Sequence, residues 1–163
     1  MRKLLIPLWG FLAASLWGGT VLVTAGNFYQ GVGESEPQFL GGELKSLIFE
    51  QMFDLGHIAL DNDSVPANPW EDVDDRDRLL AAAVRSGAQR ALTLYLVWTE
   101  PDSNKKVFLE SLILSAWDVK TGLELERRLL FSKEDREKLP VENLENWLKF
   151  LEKDLKAFLE SRF

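Results

Sequence analysis

The sequence predicts a mixed α/β (α+β) domain. It has a single four-stranded sheet, elements in the order α-β-α-β-β-β-α, helices mainly on one face and a long C-terminal helix. Three observations predict it. Ala91 to Phe131 holds three apolar runs of strand length separated by two clusters of turn residues. Stretches before and after it repeat large apolar residues at helical spacing. The 163 residues include no cysteine, so neither a disulfide framework nor a lipid-bearing cysteine is available and the fold must be held by its core.

The chain opens Met1-Arg2-Lys3 and then runs from Leu4 to Ala25, 22 residues, without a charge. A basic start before an apolar run is the pattern of an export signal. Val23-Thr24-Ala25 supplies small or tolerated residues at the minus-three and minus-one positions, which places cleavage before Gly26. The alternative is an uncleaved anchor, since 22 uncharged residues could cross a hydrocarbon core of about 30 Å; Pro7, Gly10, Gly18 and Gly19 weaken such a helix. Cleavage removes Arg2 and Lys3 and no acid, so the 19 basic residues fall to 17 against 26 acidic ones, a net charge of −9 with His57 neutral. That balance repels phosphate backbones and anionic lipid. No nucleic acid is therefore expected as a partner, and a membrane only if the N-terminal segment is retained. The expected location is periplasmic or secreted.

The remaining elements follow in order. Residues 26–36, GNFYQGVGESE, lack periodicity and read as a flexible lead-in to a single domain over 37–163. Leu40, Leu44, Leu47, Ile48, Met52 and Leu55 then define a helix over Gln38 to Leu55, capped by Gly56 and widened by Phe49 and Phe53. His57 to Leu60 is a short strand ending at Asp61-Asn62-Asp63-Ser64, and Pro66 to Pro69 is loop. Trp70 to Ser86 has five acids in its first half and Leu79, Leu80, Ala83 and Val84 on one face, a helix whose acids oppose the positive end of its dipole.

Alternation along the next strand separates Leu92, Leu94, Leu96 and Trp98 from Thr93, Tyr95 and Val97. After the turn Pro101-Asp102-Ser103-Asn104, Val107 to Val119 is apolar on both sides and belongs mid-sheet, with Phe108, Leu112 and Leu114 opposite Leu109, Ile113 and Trp117. A hairpin at Asp118 to Gly122 leads into Leu123 to Phe131, where Leu123, Leu125, Leu129 and Phe131 alternate with charged residues, a protected edge with one wet face. A parallel pairing of the first two strands places the four in chain order across the sheet. Ser132 to Asp135 resembles a capping box, and Val141 to Ser161 reads as the final helix.

The chemistry that these residues support is limited. His57 is the only histidine, and it directly follows a helix-capping glycine, which marks it as structural. The acids Asp61, Asp63, Glu71, Asp72, Asp74, Asp75 and Asp77 do not follow calcium-loop spacing, because valine and proline occupy the fifth and sixth positions from Asp61. Gly31-Val32-Gly33 and Gly41-Gly42 lack the lysine and spacing of a phosphate loop. Trp70, Trp98, Trp117 and Trp147 read as packing residues. No catalytic, cofactor or metal residue is assigned, and no cofactor is expected. If the helices gather on the Leu92 side, Tyr95, Val97 and Ile113 are left partly exposed, and these three are the candidate contact surface for a partner protein, a second copy or the amino-terminal arm; the equal alternative is that the stretch from Gly26 to Glu36, or the first helix, covers them.

The helix ending Ala83-x-x-x-Gly87-Ala88, followed by a long strand, a turn, a second strand and Ala116-Trp117-Asp118-Val119-Lys120-Thr121-Gly122, resembles the small periplasmic α/β domain of the TolB amino-terminal, CsgG and LpoB type. The similarity covers residues 39–131. Domains of that type open with a strand before the first helix, and Gly26 to Glu36 offers none. The resemblance implies a noncatalytic envelope domain that binds other proteins, and carries over no functional residue. The expected function is therefore an exported cell-envelope interaction or assembly module, its partner another envelope protein or a second copy. A membrane-anchored version of it is one alternative. The other is an exported carboxylate-dependent hydrolase acting on glycans, which requires two acids in an apolar-walled cleft.

Overall fold

The computed structural model describes residues 18–30, 39–62, 73–99, 108–136 and 144–163. The elements among them are β1 (Thr20–Gln30), α1 (Phe39–Asp54), β2 (Ile58–Asp61), α2 (Val73–Arg85), β3 (Arg90–Thr99), β4 (Phe108–Asp118), β5 (Leu123–Phe131), α3 (Lys133–Arg136) and α4 (Leu144–Arg162). The lead-in beyond Gln30, the Pro66–Pro69 loop with Trp70, the turn at Pro101 to Asn104 and the break at Pro140 lie outside the described residues.

The fold is a mixed α+β domain on one sheet, but the sheet has five strands instead of four, in the order β2-β1-β3-β4-β5. The additional strand is β1, whose first half lies in the expected signal and second half in the expected lead-in. It pairs parallel with β2 on one side and with β3 on the other. Val21 and Val23 are buried against one layer, Leu22 and Thr24 against the other. A parallel strand covered on both faces has no polar side to show, so its sequence does not alternate. The expected direct pairing of β2 with β3 is corrected as well, since β1 stands between them.

Inserting β1 also redistributes the helices. The connection from β1 to β2 runs outward and that from β2 to β3 runs back across β1, so two crossovers of the same hand must lie on opposite faces. Accordingly α1, through Leu44, Ile48 and Met52, packs with Val21, Val23, Leu92, Leu94, Leu96 and Trp98. Helix α2, through Leu79, Ala82 and Ala83, packs instead with Leu22, Ala91 and Trp117. Helix α4 joins α1 on the first face with Leu151, Leu155, Phe158 and Leu159. Two long helices thus cover one face and α2 covers part of the other.

Local features match the sequence where they are short-range. At the end of α2, Gly87 has φ 72°, its N–H donates to Val84 O at 3.1 Å and Ala88 N–H donates to Ala83 O at 2.9 Å, the paired bonds of a left-handed cap. Ser132 N–H donates to Asp135 Oδ2 at 2.9 Å, the reach-back of a capping box at α3. Irregularities in pairing break the expected alternation. One lies between Val97 and Trp98, and the β4–β5 ladder has two, near Leu112 and Ala116. As a result Leu109 joins the first-face core, while Leu123 and Leu129 are exposed and Leu130 is buried beside Phe131.

The C-terminal end of α4 is clamped to the sheet by charge. Arg162 Nε donates to Glu126 Oε2, Arg128 Nη2 donates to Glu126 Oε1 at 2.5 Å, and Arg90 Nη1 donates to Arg162 O at 3.2 Å. The Arg128 guanidinium lies over the Phe158 ring at 5.2 Å. The Arg162 hydrogen bond, aided by Arg128 and opposed by partial desolvation, holds the Glu126 carboxyl below its ordinary range.

Two outcomes are expected. Ending the chain at Asn146 removes Leu151, Leu155, Phe158 and Leu159 from the core, and circular dichroism should then show no cooperative thermal transition. Glu126→Gln should lower stability by about 1 kcal/mol at neutral pH. Because the folded-state value is depressed, this contribution is complete above the unfolded value of about 4.3 and is lost as pH falls through the folded value. Melting curves of variant and wild type should therefore converge on acidification through that window, and a constant difference would refute the assignment.

Candidate interaction face

On the second sheet face the residues fall into rows set by register. Thr24, Thr93 and Ser115 form one row, all fully buried. The Thr93 and Ser115 hydroxyls share a hydrogen bond at 2.7 Å, and Trp117 Nε1–H donates to Ser115 Oγ at 2.7 Å. These polar side chains are thus partnered inside the protein, as burial requires. The row separates the part of the face covered by α2 from a small apolar cluster of Tyr95, Val97 and Ile113.

All three candidate contact residues are therefore brought together, with Tyr95 directly opposite Ile113. Of the two readings of this face, open or covered by the stretch from Gly26, Tyr95 and Val97 follow the second: they are 7% and 9% exposed. The Phe28 ring stacks on Tyr95 with centroids 6.2 Å apart and planes at 29°. The open surface lies on the flanks instead, with Phe28 40% exposed on β1 and Leu129 55% exposed on β5, where it pairs with Ile113. Sequence reasoning missed both flanking residues. Beside them on the same face stands Arg127, whose Nε and Nη2 donate to the two carboxylate oxygens of Glu124, each at 2.8 Å.

The hairpin that carries the resemblance explains itself locally. Asp118 Oδ1 accepts from both the N–H and the Oγ–H of Thr121, each at 2.8 Å, and Gly122 N–H donates to Asp118 O at 2.9 Å with φ 68°. The Thr121 N–H is the main reason the Asp118 carboxyl sits below its ordinary range. Asp-Val-Lys-Thr-Gly is thus a self-satisfied turn.

His57 is nearly buried, with its Nδ1 3.2 Å from Gly19 O. A carbonyl oxygen only accepts, so Nδ1 carries the proton. The ring also meets Phe163 edge-on, which ties β1, the end of α1 and the C-terminus together. A hollow of 450 Å³ beside it is lined, among the described residues, by Phe49, Phe53, His57, Ile58 and Ala59, with no acid among them. A second, of 320 Å³, has Asp74 and Asp77 but also Arg78 and Arg85, and no aromatic wall. Among the described residues, neither hollow sets two acids in an apolar-walled cleft of the kind glycan hydrolysis uses. Among the described residues, no group of three metal-ligating acids and histidines gathers, and no helix is long and apolar enough to cross a membrane.

Fold and face together define a mixed α/β domain with one closed sheet face and one partly open one. No protein-family model matches the chain, and no curated protein does. Solved structures similar to it include the LpoB C-terminal domains. That of Salmonella enterica is 16% identical, covering 76% of this chain and 90% of that one at a TM-score of 0.41; that of Escherichia coli is 16% identical, covering 70% and 82% at 0.39. The hypothetical protein CT253 of Chlamydia trachomatis is 12% identical, covering 88% and 97% at 0.48. The weak LpoB-type resemblance is thus present in three dimensions, and β1 supplies the strand before the first helix that the sequence was expected to lack.

The buried and flanking parts of the face should respond differently to charge. Tyr95→Glu should destabilise by about 3 kcal/mol or more, because it buries a carboxylate in an apolar cluster. Leu129→Glu, on the exposed flank, should stay within about 0.5 kcal/mol of wild type. Urea denaturation reads both; equal losses would show that the cluster and its flank are one core.

Proposed function

We propose that this chain is an exported, envelope-associated, noncatalytic module for protein interaction or assembly. Its contact surface is the open end of the second sheet face, where Phe28 and Leu129 on the flanks and the half-buried Ile113 lie over a floor of Tyr95 and Val97. The observation that carries the reading is the exposure of Phe28 and Leu129, 40% and 55%, on opposite sides of an apolar cluster that α2 does not reach. Grouped apolar exposure of this kind marks protein contact sites. The partner is another protein presenting apolar surface, and the acidity of this chain favours one with a basic rim. The basic start and the apolar run behind it support export to the periplasm or beyond.

Cross-linked capture from envelope extract tests this with three baits. Wild type and Phe53→Ser, altered at an exposed α1 residue, should retain the same partner, whereas Leu129→Glu should reduce its recovery at least tenfold. Light scattering on wild type and Leu129→Glu identifies a second copy as the partner if a dimer dissolves. A partner retained equally by all three baits would refute the assignment of the face.

A further inference from the structure

We infer that the chain is cut between Ser15 and Leu16, ahead of β1, and that the expected site before Gly26 is not used. The inference rests on the export reading above and gives it a position. A cut before Gly26 would remove Thr20 to Val23, which form the entire ladder to β2. It would also remove Val21 to Ala25, five of the ten pairs that join β1 to β3. Val21, Leu22, Val23 and Thr24 are fully buried, so the loss would open both layers of the core at once. Strand β2 would be left with no partner among the described residues, because β1 alone pairs with it.

The folded body begins further upstream than β1 itself. Gly19 O accepts the Nδ1–H of His57, and a Cβ placed on Gly18 would collide with the His57 ring. Both glycines are fitted to the domain, which moves the cut ahead of Gly18. There Ala13-Ala14-Ser15 sets alanine at minus-three and serine at minus-one, behind the nine uncharged residues Leu4 to Leu12. Small residues after an apolar segment of that length are what a signal peptidase reads. The same strand weakens the anchor alternative. With β1 in the sheet, the uncharged run left outside it is Leu4 to Gly19, sixteen residues. A helix of that length spans about 24 Å, short of the roughly 30 Å of a hydrocarbon core.

The full chain, expressed with its own N-terminus in a host with an envelope, is fractionated, and the exported protein is analysed by intact mass and N-terminal sequencing. A start at Leu16 is expected. An exported protein starting at Gly26 overturns this inference and leaves the export reading standing; an exported protein still carrying Met1 overturns it in favour of retention. An uncut chain found only in the cytoplasm removes the export reading and the inference with it. Ser15→Phe, which sets a large side chain at minus-one, should cut the processed fraction at least tenfold, and processing at the wild-type level would overturn the assigned bond.

Discussion

The first half of strand β1 is hydrogen-bonded on both edges over Thr20 to Val23 and buried on both faces over Val21 to Thr24, and the arrangement of everything else follows from that one placement. Among the described residues the four residues of β2 have no other strand to pair with, and an isolated short strand is not stable in water. Because β2 and β3 lie on opposite sides of β1, the two crossovers run in opposite directions, and their shared hand sends α1 and α2 to opposite faces. A sheet without β1 would have put both helices on one side. The division of the core into two layers is therefore a consequence of topology, with apolar pattern deciding only which residues enter each layer.

The layers are unequal. On the first face α1 and α4 pack over residues of β1, β3, β4 and β5, and the end of α4 is fixed by Glu126, Arg128, Arg162 and the Phe158 ring. On the second, α2 is amphipathic with a narrow apolar stripe, Leu79, Ala82 and Ala83, and small side chains reach only a limited width of sheet. Among the described residues, the rest of that face is held by cross-strand contacts, the Phe28–Tyr95 stack and the Tyr95–Ile113 pair.

Elements whose signals are local were legible in the sequence: the Gly87 cap of α2, the Asp118–Gly122 turn, and the alternation that divides Leu92, Leu94 and Leu96 from Thr93 and Tyr95. Strand β1 was not, for a physical reason. A doubly buried parallel strand and the apolar core of an export signal are both uncharged runs, and hydropathy alone does not distinguish them. Missing β1 hid Phe28, which stands on the second face only because Thr24 and Gly26 precede it in strand phase. Leu129 was hidden differently. Two irregularities in the β4–β5 ladder change which side chains of β5 face out, and irregularities of that kind depend on pairing between strands, which a single strand's pattern does not record. The grouping of Tyr95, Val97 and Ile113 was legible because β3 and the middle of β4 are regular there; their burial was not, because the ring that shields Tyr95 comes from the unrecognised strand.

The polar row Thr24, Thr93 and Ser115 bears on what the open end can do. Its hydroxyls are satisfied internally, so a partner docking beside it has no buried polar group to compensate. The driving force must then come from apolar area. Phe28 and Leu129 are each about half exposed, and covering that remainder contributes roughly 1 kcal/mol apiece. Two such terms fall well below the roughly 8 kcal/mol of a micromolar complex, before the cost of association is counted. A partner that holds this face must therefore extend past the cluster, and along β5 the next groups it meets are Arg127 and Glu124, already joined by two hydrogen bonds. A preformed pair offers fixed geometry at little entropic cost, so specificity at this face would come from the charged neighbour and affinity from the apolar centre.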